Sequence, residues 1–291
     1  MHEALYGVDG FYSSGRGQPG RRGDFITSPE VGPLFGAVIA RALDMWWHEL
    51  SSPRQFDVIE VGAGTGSLRR SVLRAGPECL AALRYSVVEI GPYAPTDALR
   101  ELPSVPITGV ILCNELLDNL PIDLAIDDAV IEASVDTAAG PASWPEVGLR
   151  PAQQAAHDFV TDSLEHLDGG RLVAIDYCGT NFAERPWSEW LRTYRGHERG
   201  SHPLDGPGTK DITCEVDVSQ LPAPSSNLSQ AEFLRRHGID ELVEQGRRVW
   251  HERAHLGDLE ALKARSRITE AEALCDPSGL GSFRVLEWLV S

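Results

Sequence analysis

The sequence is poor in positive charge. Lys210 and Lys263 are its only lysines, and 26 basic residues stand against 43 acidic ones, which gives a formal net charge of −17 over 291 residues. Such a field repels phosphate and argues against non-specific binding to nucleic acid or to an anionic membrane. It attracts a basic peptide or a cationic small molecule, although the same charge also improves solubility.

Signals for disulfides, secretion, membrane insertion and metal binding are missing as well. The five cysteines are odd in number and form no C-x-x-C pair, which favours free thiols in a reducing compartment. No basic segment followed by an apolar one opens the chain, and no apolar run approaches the ~20 residues that cross a bilayer. Two histidines at metal-like spacing, His251 and His255, have no identifiable third ligand. We therefore predict a cytoplasmic protein with neither a membrane segment nor a metal site.

The most informative stretch, FDVIEVGAGTGSL, runs from Phe56 to Leu68. Its apolar start indicates a buried strand of a parallel sheet, and a helical pattern opens at Ser67. Glycines occupy positions 62, 64 and 66 between the two elements. Glycine is needed where the backbone turns sharply and where a ligand comes closer than a Cβ atom allows. Strand, glycine turn and helix N-terminus together predict the crevice that binds a nucleotide-like ligand.

The spacing of these glycines indicates the kind of ligand. Dinucleotide sites use G-x-G-x-x-G/A, whereas the third glycine here comes one place early, which disfavours a nicotinamide dehydrogenase. Glu60 at the strand end would repel a phosphate. S-adenosylmethionine (SAM) fits better because it carries ammonium and sulfonium groups and no phosphate; a glycine turn that binds nothing is the alternative. The predicted cofactor residues in this stretch are Glu60, Gly62, Ala63, Gly64 and Gly66.

Polar residues follow three further apolar runs at their carboxyl ends. RYSVVE ends in Glu89, where an acid accepts hydrogen bonds from ribose hydroxyls in SAM and dinucleotide folds, unless it is merely a solvent-exposed acid. ITGVILC is followed by Asn114, Glu115 and Asp118, and RLVAIDY contains Asp176 near its end. Ligands of open α/β sheets bind at the carboxyl ends of the strands. The three residues after ITGVILC are therefore predicted to lie beside the reacting group.

The remaining pattern divides the chain into a cover, a core and an acceptor side. Thr27 to Glu30 is typical of a helix start, and an apolar stripe predicts a helix from about 31 to 50. Alternation from Asp211 to Val218 predicts a half-exposed strand, and Ser229 is placed to cap a helix. We expect an N-terminal cover in residues 1–50, a SAM-binding core in 51–180, an acceptor-side helical or irregular subdomain in 181–282 and a final core strand in 283–291.

Several of these stretches resemble one known family. ALYGVDGFYSS and GDFITSPEVGPLFG are similar to the opening of the MidA-type SAM-dependent methyltransferases, which include the mitochondrial complex I assembly methyltransferase. EVGAGTGSL, CNELLDNLPID, AIDYCGT and LSQAEFLRRHGI resemble later blocks of that family in the same order. The likeness covers nearly the whole chain, and the opening and the N-E-x-x-D block are its most specific parts.

The resemblance implies an α/β class I methyltransferase fold with a Rossmann-like sheet, an N-terminal cover and an inserted acceptor-side subdomain. It implies SAM as cofactor and protein arginine as the acceptor of the mitochondrial member. By this likeness the three glycines and Glu89 bind SAM. Asn114, Glu115 and Asp118 would face the methyl-acceptor pocket, and Asn114 would also reach the cofactor.

A guanidinium acceptor needs carboxylates that pair with it and direct a nitrogen lone pair at the methyl group. Glu115 and Asp118 are assigned this task, with Asn114 as an orienting amide. The predicted function is thus N-methylation of arginine in a partner protein, a basic segment attracted by the acidic chain. A catalytically silent assembly protein that keeps the fold is one alternative, and the oligomeric state, including a homodimer, is left open.

The second alternative is O- or N-methylation of a small molecule or a modified peptide. A hydroxyl or carboxyl acceptor would favour a histidine base, for which His197 and His202 are the candidates, unless both are surface residues. Tyr12, Asp24 and Thr27 in the glycine-rich opening are predicted to form a lid that excludes water. A static cover over the sheet would use the same residues.

Overall fold

The computed structural model describes residues 1–15, 27–127, 129–131, 135–136, 140–141, 144–195 and 198–291. In chain order the strands are β1 (Phe56–Val61), β2 (Leu83–Val88), β3 (Ile107–Asn114), β4 (Asp123–Ile126), β5 (Ala129–Ile131), β6 (Val135–Asp136), β7 (Gly140–Pro141), β8 (Leu149–Ala152), β9 (Leu167–Asp176), β10 (Leu191–Arg195), β11 (Glu198–Arg199), β12 (Asp211–Cys214), β13 (Ser226–Ser229) and β14 (Arg284–Val290). The α-helices are α1 (His2–Tyr6), α2 (Ser28–Val31), α3 (Pro33–Glu49), α4 (Ser67–Ala75), α5 (Gln154–Glu165), α6 (Trp187–Trp190), α7 (Gln230–Arg236), α8 (Ile239–Arg253) and α9 (Leu259–Leu274).

The glycine stretch supplies an inner strand of the main sheet. β1 lies within six strands of order β13-β14-β9-β3-β1-β2 and runs parallel to both of its neighbours. β9 is parallel to β3, whereas β14 is antiparallel and lies between β9 and β13. The final strand therefore returns to the sheet, as predicted. The result is the mixed α/β architecture that the sequence indicated.

Alternate residues of β3 belong to different apolar clusters, because successive strand side chains point to opposite faces. Val110 and Leu112 pack in a cluster with α3, α7, α8 and the end of α9. Ile111 and Cys113 pack in a cluster with α5 and with Trp288 of β14. Burial on both faces explains why this strand is an uninterrupted apolar run in the sequence.

A third apolar cluster lies under the N-terminal residues. Leu5 and Phe11 pack there with Trp190 and with Ile212 of β12. Segment 181–282 thus divides between two places: β10 and β12 lie beside the N-terminal cover, while α7, α8 and α9 pack against α3. No helix in the described part of the chain is long and apolar enough to cross a membrane.

The cover helix predicted from 31 to 50 is interrupted at its start. Gly32 is extended, and Pro33 opens α3 after it, so the short α2 is separate. The buried Leu34 N–H, one of the free donors at the start of α3, donates to Glu270 Oε2 at 2.8 Å. Glu270 belongs to α9, is only 6% exposed, and accepts a second bond from the Ser266 hydroxyl. One carboxylate from the C-terminal region therefore completes the cover helix.

The prediction of a half-exposed strand from Asp211 to Val218 is wrong in its exposure. The strand is shorter, Asp211–Cys214, and all four of its residues are buried. The alternating pattern misled because its polar members are paired inside the protein instead of solvated. Asp211 accepts from the Tyr12 hydroxyl, and the Thr213 hydroxyl donates to Asp118.

Glu270→Ala is expected to lower the free energy of unfolding by about 2 kcal/mol, because it leaves a buried helix N–H without a partner. Urea unfolding followed by circular dichroism measures the change. Glu272→Ala, an exposed acid on the same helix, is the matched control and should match the wild-type midpoint. Equal midpoints for the two variants would contradict the capping role.

Candidate active site

A cavity of about 460 Å³ lies where β1, β2 and β3 end. Its lining includes Gly62 after β1, Glu89 after β2, and Asn114 with Glu115 at the end of β3. Because parallel strands end at one edge of the sheet, residues far apart in the sequence meet there. Two residues of the N-terminal segment, Tyr6 and Tyr12, also line the cavity. Their rings are stacked, with centroids 5.7 Å apart.

The glycine turn adopts a conformation that side chains disfavour. Gly62, Gly64 and Gly66 have φ angles of 72°, 52° and 71°, in the left-handed region. A Cβ atom on Gly62 would lie 2.9 Å from Leu116 Cδ1, too close for a real contact. Gly66 also forms the N-cap of α4, which begins at Ser67 as predicted. The backbone is thereby brought to the cavity wall with no side chain in the way.

Glu89 is tied to this turn. The Gly64 N–H donates to its Oε2 at 2.8 Å, and the Gly91 N–H donates to its Oε1 at 2.6 Å. A carboxylate with two such bonds keeps acceptor capacity for further donors, such as sugar hydroxyls. The residues present therefore fit SAM: an acid of fixed orientation beside a glycine turn that leaves room for the ligand.

Glu60 lines the same cavity but is almost fully buried. It accepts a hydrogen bond from the Tyr85 hydroxyl at 3.0 Å. Burial raises the pKa of this carboxyl to about 7, against an ordinary value near 4.5. The ionised form of this carboxyl attracts a cationic ligand group and repels a phosphate, and a bound cation would in turn favour that form. Ala63 also lines the cavity, so the wall contains four of the five cofactor residues predicted from the glycine stretch.

Asn114 and Glu115 contribute to the cavity wall at the end of β3. Asn114 Nδ2 donates to Glu115 Oε1 at 2.9 Å, and the Ser28 N–H donates to the same oxygen at 3.1 Å. Burial, together with the nearby charge of Asp118, raises the pKa of Glu115 to about 8. Asn114 Oδ1 is buried and has no hydrogen-bond partner among the described residues. Glu115 itself has a φ of 54°, a strained value of the kind that concentrates at functional sites.

Asp118 lies outside the cavity lining, unlike its two predicted partners. It is 5% exposed and accepts a hydrogen bond from the Thr213 hydroxyl. Leu117–Asn119 form a single 3-10 turn, and it is Asn119 that lines the cavity. The structure thus brings Asn114 and Glu115 together at the wall and separates Asp118 from it.

Asp176 holds this segment in place. Its Oδ2 accepts from the backbone N–H groups of Leu116, Leu117 and Asp118 at 3.2, 2.8 and 3.3 Å. Burial, and then the charges of Asp118 and Glu115, raise its pKa. Sequence reasoning noticed this acid at a strand end but gave it no role. The available signal for such a role was its position at the end of β9, the strand that lies next to β3 in the sheet.

Tyr12, predicted as a lid residue, is hydrogen-bonded to Asp211, in the predicted acceptor-side segment, and to Asn119. Its hydroxyl lies 2.9 Å from Asp211 Oδ1 and 3.2 Å from Asn119 Oδ1. Tyr6 donates to the Asn119 carbonyl at 3.0 Å. Sequence reasoning missed Tyr6, Asn119 and Asp211, and the polar spacing that could have located Asp211 was interpreted as solvent exposure. Burial raises the pKa of Asp211 to about 7, and the charge of Asp118 adds to the effect.

The other predicted residues have different outcomes. Thr27 lines the cavity. Asp24 and His197 lie outside the described residues. His202 packs against Trp144 and Trp187, with ring centroids at 4.4 and 5.0 Å, and lies outside the cavity lining, so the structure does not place it as a base.

Comparison with known proteins decides the family. Residues 38–161 and 150–235 match the model of a family of S-adenosyl-L-methionine-dependent methyltransferases. The chain belongs to this family. The methyltransferase is therefore an enzyme that uses SAM, and the predicted family and cofactor are confirmed.

Solved structures confirm the fold. A crystal structure of a COG1565 superfamily member from Burkholderia thailandensis, bound to S-adenosyl-homocysteine, has a TM-score of 0.79 and 25% identity and covers 100% of this chain and 86% of its own. A native structure of a COG1565 superfamily protein from the same organism has a TM-score of 0.73. The predicted class I methyltransferase fold is thus the observed one.

Curated relatives carry a more specific name. The mitochondrial protein arginine methyltransferase NDUFAF7 homolog of Drosophila melanogaster is 27% identical over 84% of this chain and 72% of its own length. NDUFAF7 of Bos taurus is 24% identical over 82% of this chain and 69% of its own length. The cytoplasmic location of the present chain stays a prediction.

Glu89→Gln is expected to weaken binding of S-adenosyl-homocysteine at least about tenfold, because the neutral amide offers fewer acceptors for sugar hydroxyls and donates where Gly64 and Gly91 donate now. Isothermal titration calorimetry measures the affinity. The exposed Glu101→Gln, from the following segment, is the control and should bind as the wild type does. Unchanged affinity in Glu89→Gln would remove this residue from the cofactor site.

The stability of the free methyltransferase is expected to fall as the pH rises from about 5 to about 8. In the folded state Glu60, Glu115 and Asp211 bind protons more tightly than in the unfolded chain, with pKa values raised to about 7, 8 and 7. The stability they contribute is complete below the unfolded pKa and is lost as the pH passes the folded values.

Melting temperatures at the two pH values measure this loss. Glu115→Gln removes one of the three groups and should narrow the difference by about 2 °C or more, while Glu101→Gln should leave it unchanged. A melting temperature that rises with pH over this interval would contradict the assignment.

Proposed function

We propose that this methyltransferase transfers a methyl group to arginine side chains of a partner protein. The observation that carries the proposal is the pair of acceptors at the end of β3. Asn114 Oδ1 is buried without a partner among the described residues, and the Glu115 carboxylate lies beside it. An unpaired buried acceptor costs roughly 1–3 kcal/mol. The wall is therefore complementary to a ligand that brings several N–H donors, and a guanidinium group is such a ligand.

When bound, SAM supplies an electrophilic methyl group on a sulfonium sulfur. The task of the protein is to hold one acceptor nitrogen in line with that methyl and to exclude water. Glu115 and Asn114 hold the guanidinium by its N–H groups, and Asp176 fixes the backbone that follows them. Tyr6 and Tyr12 cover the N-terminal side of the cavity.

The protonation of Glu115 follows from its surroundings. In the free site, burial holds its pKa at about 8, so it is mostly protonated at neutral pH. A bound guanidinium cation favours the ionised form and displaces that proton. The acceptor nitrogen gains a methyl group and loses one proton, and the Glu115 carboxylate is placed to accept it.

The names of the relatives support an arginine acceptor. Proteins of Drosophila melanogaster and Bos taurus that match most of this chain are called protein arginine methyltransferases. The identities are close to one quarter, so the acceptor of this chain needs its own test. The net charge of −17 agrees with a basic partner segment.

Radiolabelled SAM incubated with a cell lysate, followed by fractionation by size, is the direct test. Label on protein, located at arginine by mass spectrometry, is the expected outcome. Label in the small-molecule fraction would show the alternative acceptor class. No label at any enzyme concentration, with intact binding of S-adenosyl-homocysteine, would show a catalytically silent assembly protein.

Glu115→Gln and Asn114→Ala are each expected to reduce labelling by about 100-fold or more, because both remove contacts to the acceptor nitrogen. Affinity for S-adenosyl-homocysteine in calorimetry should stay close to that of the wild type in Glu115→Gln. Glu101→Gln controls for the loss of one negative charge. Labelling at the wild-type rate in both site variants would contradict the proposed acceptor site.

A further inference from the structure

Glu115 is connected to the C-terminal half of the chain by a short series of buried hydrogen bonds. The Ser28 N–H donates to Glu115 Oε1 at 3.1 Å, and the Ser28 hydroxyl donates to Gln230 Oε1 at 2.9 Å. Gln230 Nε2 donates in turn to the Leu274 carbonyl at 3.0 Å. Ser28 and Gln230 are both 0% exposed. Each bond in the series fixes the orientation of the next group.

Both the backbone and the side chain of Gln230 are held in place by hydrogen bonds. Its backbone N–H donates to the Phe283 carbonyl at 2.7 Å, so its main chain is fixed as well as its amide. The preceding Ser229 and the following Glu232 form a capping box that secures the start of α7. Since the amide nitrogen is held by Leu274, the amide oxygen is directed at Ser28.

We propose that Ser28 and Gln230 are positioning residues that keep a backbone N–H directed at the Glu115 carboxylate and so set its readiness to pair with the acceptor. The inference deepens the proposed function, on which it rests. Neither residue lines the cavity, and each acts through Glu115. Without the Gln230 amide, the Ser28 hydroxyl loses its acceptor, and the Ser28 backbone is free to move away from Glu115.

The sign of the effect follows from the groups that face Glu115. The acids are Asp118 and Asp176 on the adjoining backbone and Glu30, Glu60 and Glu89 around the cavity. The other titratable groups of the lining are His2, Arg100 and the tyrosines Tyr6, Tyr12 and Tyr93. In this acidic setting the Ser28 N–H favours the ionised form and lowers the pKa of Glu115, against the larger effect of burial. Loss of that bond raises the pKa.

Two substitutions test the proposal, each with a matched control. Gln230→Met keeps the side-chain length and removes the amide, and Gln153→Met makes the same change at a glutamine that is 1% exposed and bonded elsewhere. Ser28→Ala removes the hydroxyl alone. Ser163→Ala makes that change at a serine that is 0% exposed and has no hydroxyl partner among the described residues.

The first measurement is a ¹³C NMR titration of the full chain labelled at glutamate side-chain carboxyls, with Glu115 assigned by its absence in Glu115→Gln. Because burial raises the pKa of Glu115 to about 8, we expect a midpoint near that value in the wild type. We expect it to rise by about half a pH unit or more in Gln230→Met and Ser28→Ala. The two control variants should titrate as the wild type does. This readout needs no acceptor, so it stands even if arginine is not the substrate.

The second measurement is the pH dependence of kcat/KM for an arginine-containing protein substrate. In Gln230→Met and Ser28→Ala, the acid limb of this pH profile should shift to higher pH by the same amount as the NMR midpoint. The affinity for S-adenosyl-homocysteine should not change. A shift of one full unit would equal a tenfold loss of kcat/KM on the acid side.

An unchanged Glu115 midpoint in folded Ser28→Ala and Gln230→Met overturns the inference. If Gln230→Met fails to fold, Ser28→Ala decides alone. Equal shifts of the Glu115 midpoint in the control variants would also overturn it, since they would show a general response to the loss of any buried polar group. Absence of arginine labelling with an NMR shift as expected would instead overturn the proposed function and leave the positioning role of the two residues in place.

Discussion

Burial of several carboxyl groups in the cavity wall and next to it is the constraint on which the rest of the structure depends. Glu60, Glu115, Asp118, Asp176 and Asp211 are all withdrawn from water, and burial raises the pKa of each. Their hydrogen-bond partners include backbone N–H groups, hydroxyls and amides. Burial therefore disfavours the ionised form of each acid, and a cationic group bound in the cavity would favour it at Glu60 and Glu115, which line the wall.

Sequence reasoning was most successful where one physical rule applied. The rule that ligands bind where parallel strands end located Gly62, Glu89, Asn114 and Glu115, and all four line the cavity. The parallel strands of the sheet followed from short apolar runs, and the cover helix followed from apolar periodicity. These features depend on the local pattern of apolar and polar residues, which a single sequence contains.

The same reasoning failed where side-chain direction or long-range contact decided the outcome. Asp118 and Asn119 are neighbours in a 3-10 turn, and no spacing rule indicates which of them faces the cavity. Gln230 and Ser28 are 202 positions apart; Gln230 follows the predicted cap Ser229, and Ser28 belongs to a stretch already interpreted as a helix start. Asp211 was assigned to solvent because alternation in a strand does not distinguish water from a polar protein interior. Such errors are corrected only by the tertiary structure.

The cap that Glu270 places on Leu34 has a consequence for the order of events during synthesis. The acceptor lies 236 positions after the donor, so the cover helix cannot be completed until the last helices have left the ribosome. Domains generally fold as units as the chain emerges. A nascent chain of this methyltransferase that has not yet exposed α9 therefore has a cover helix whose first buried N–H lacks its acceptor.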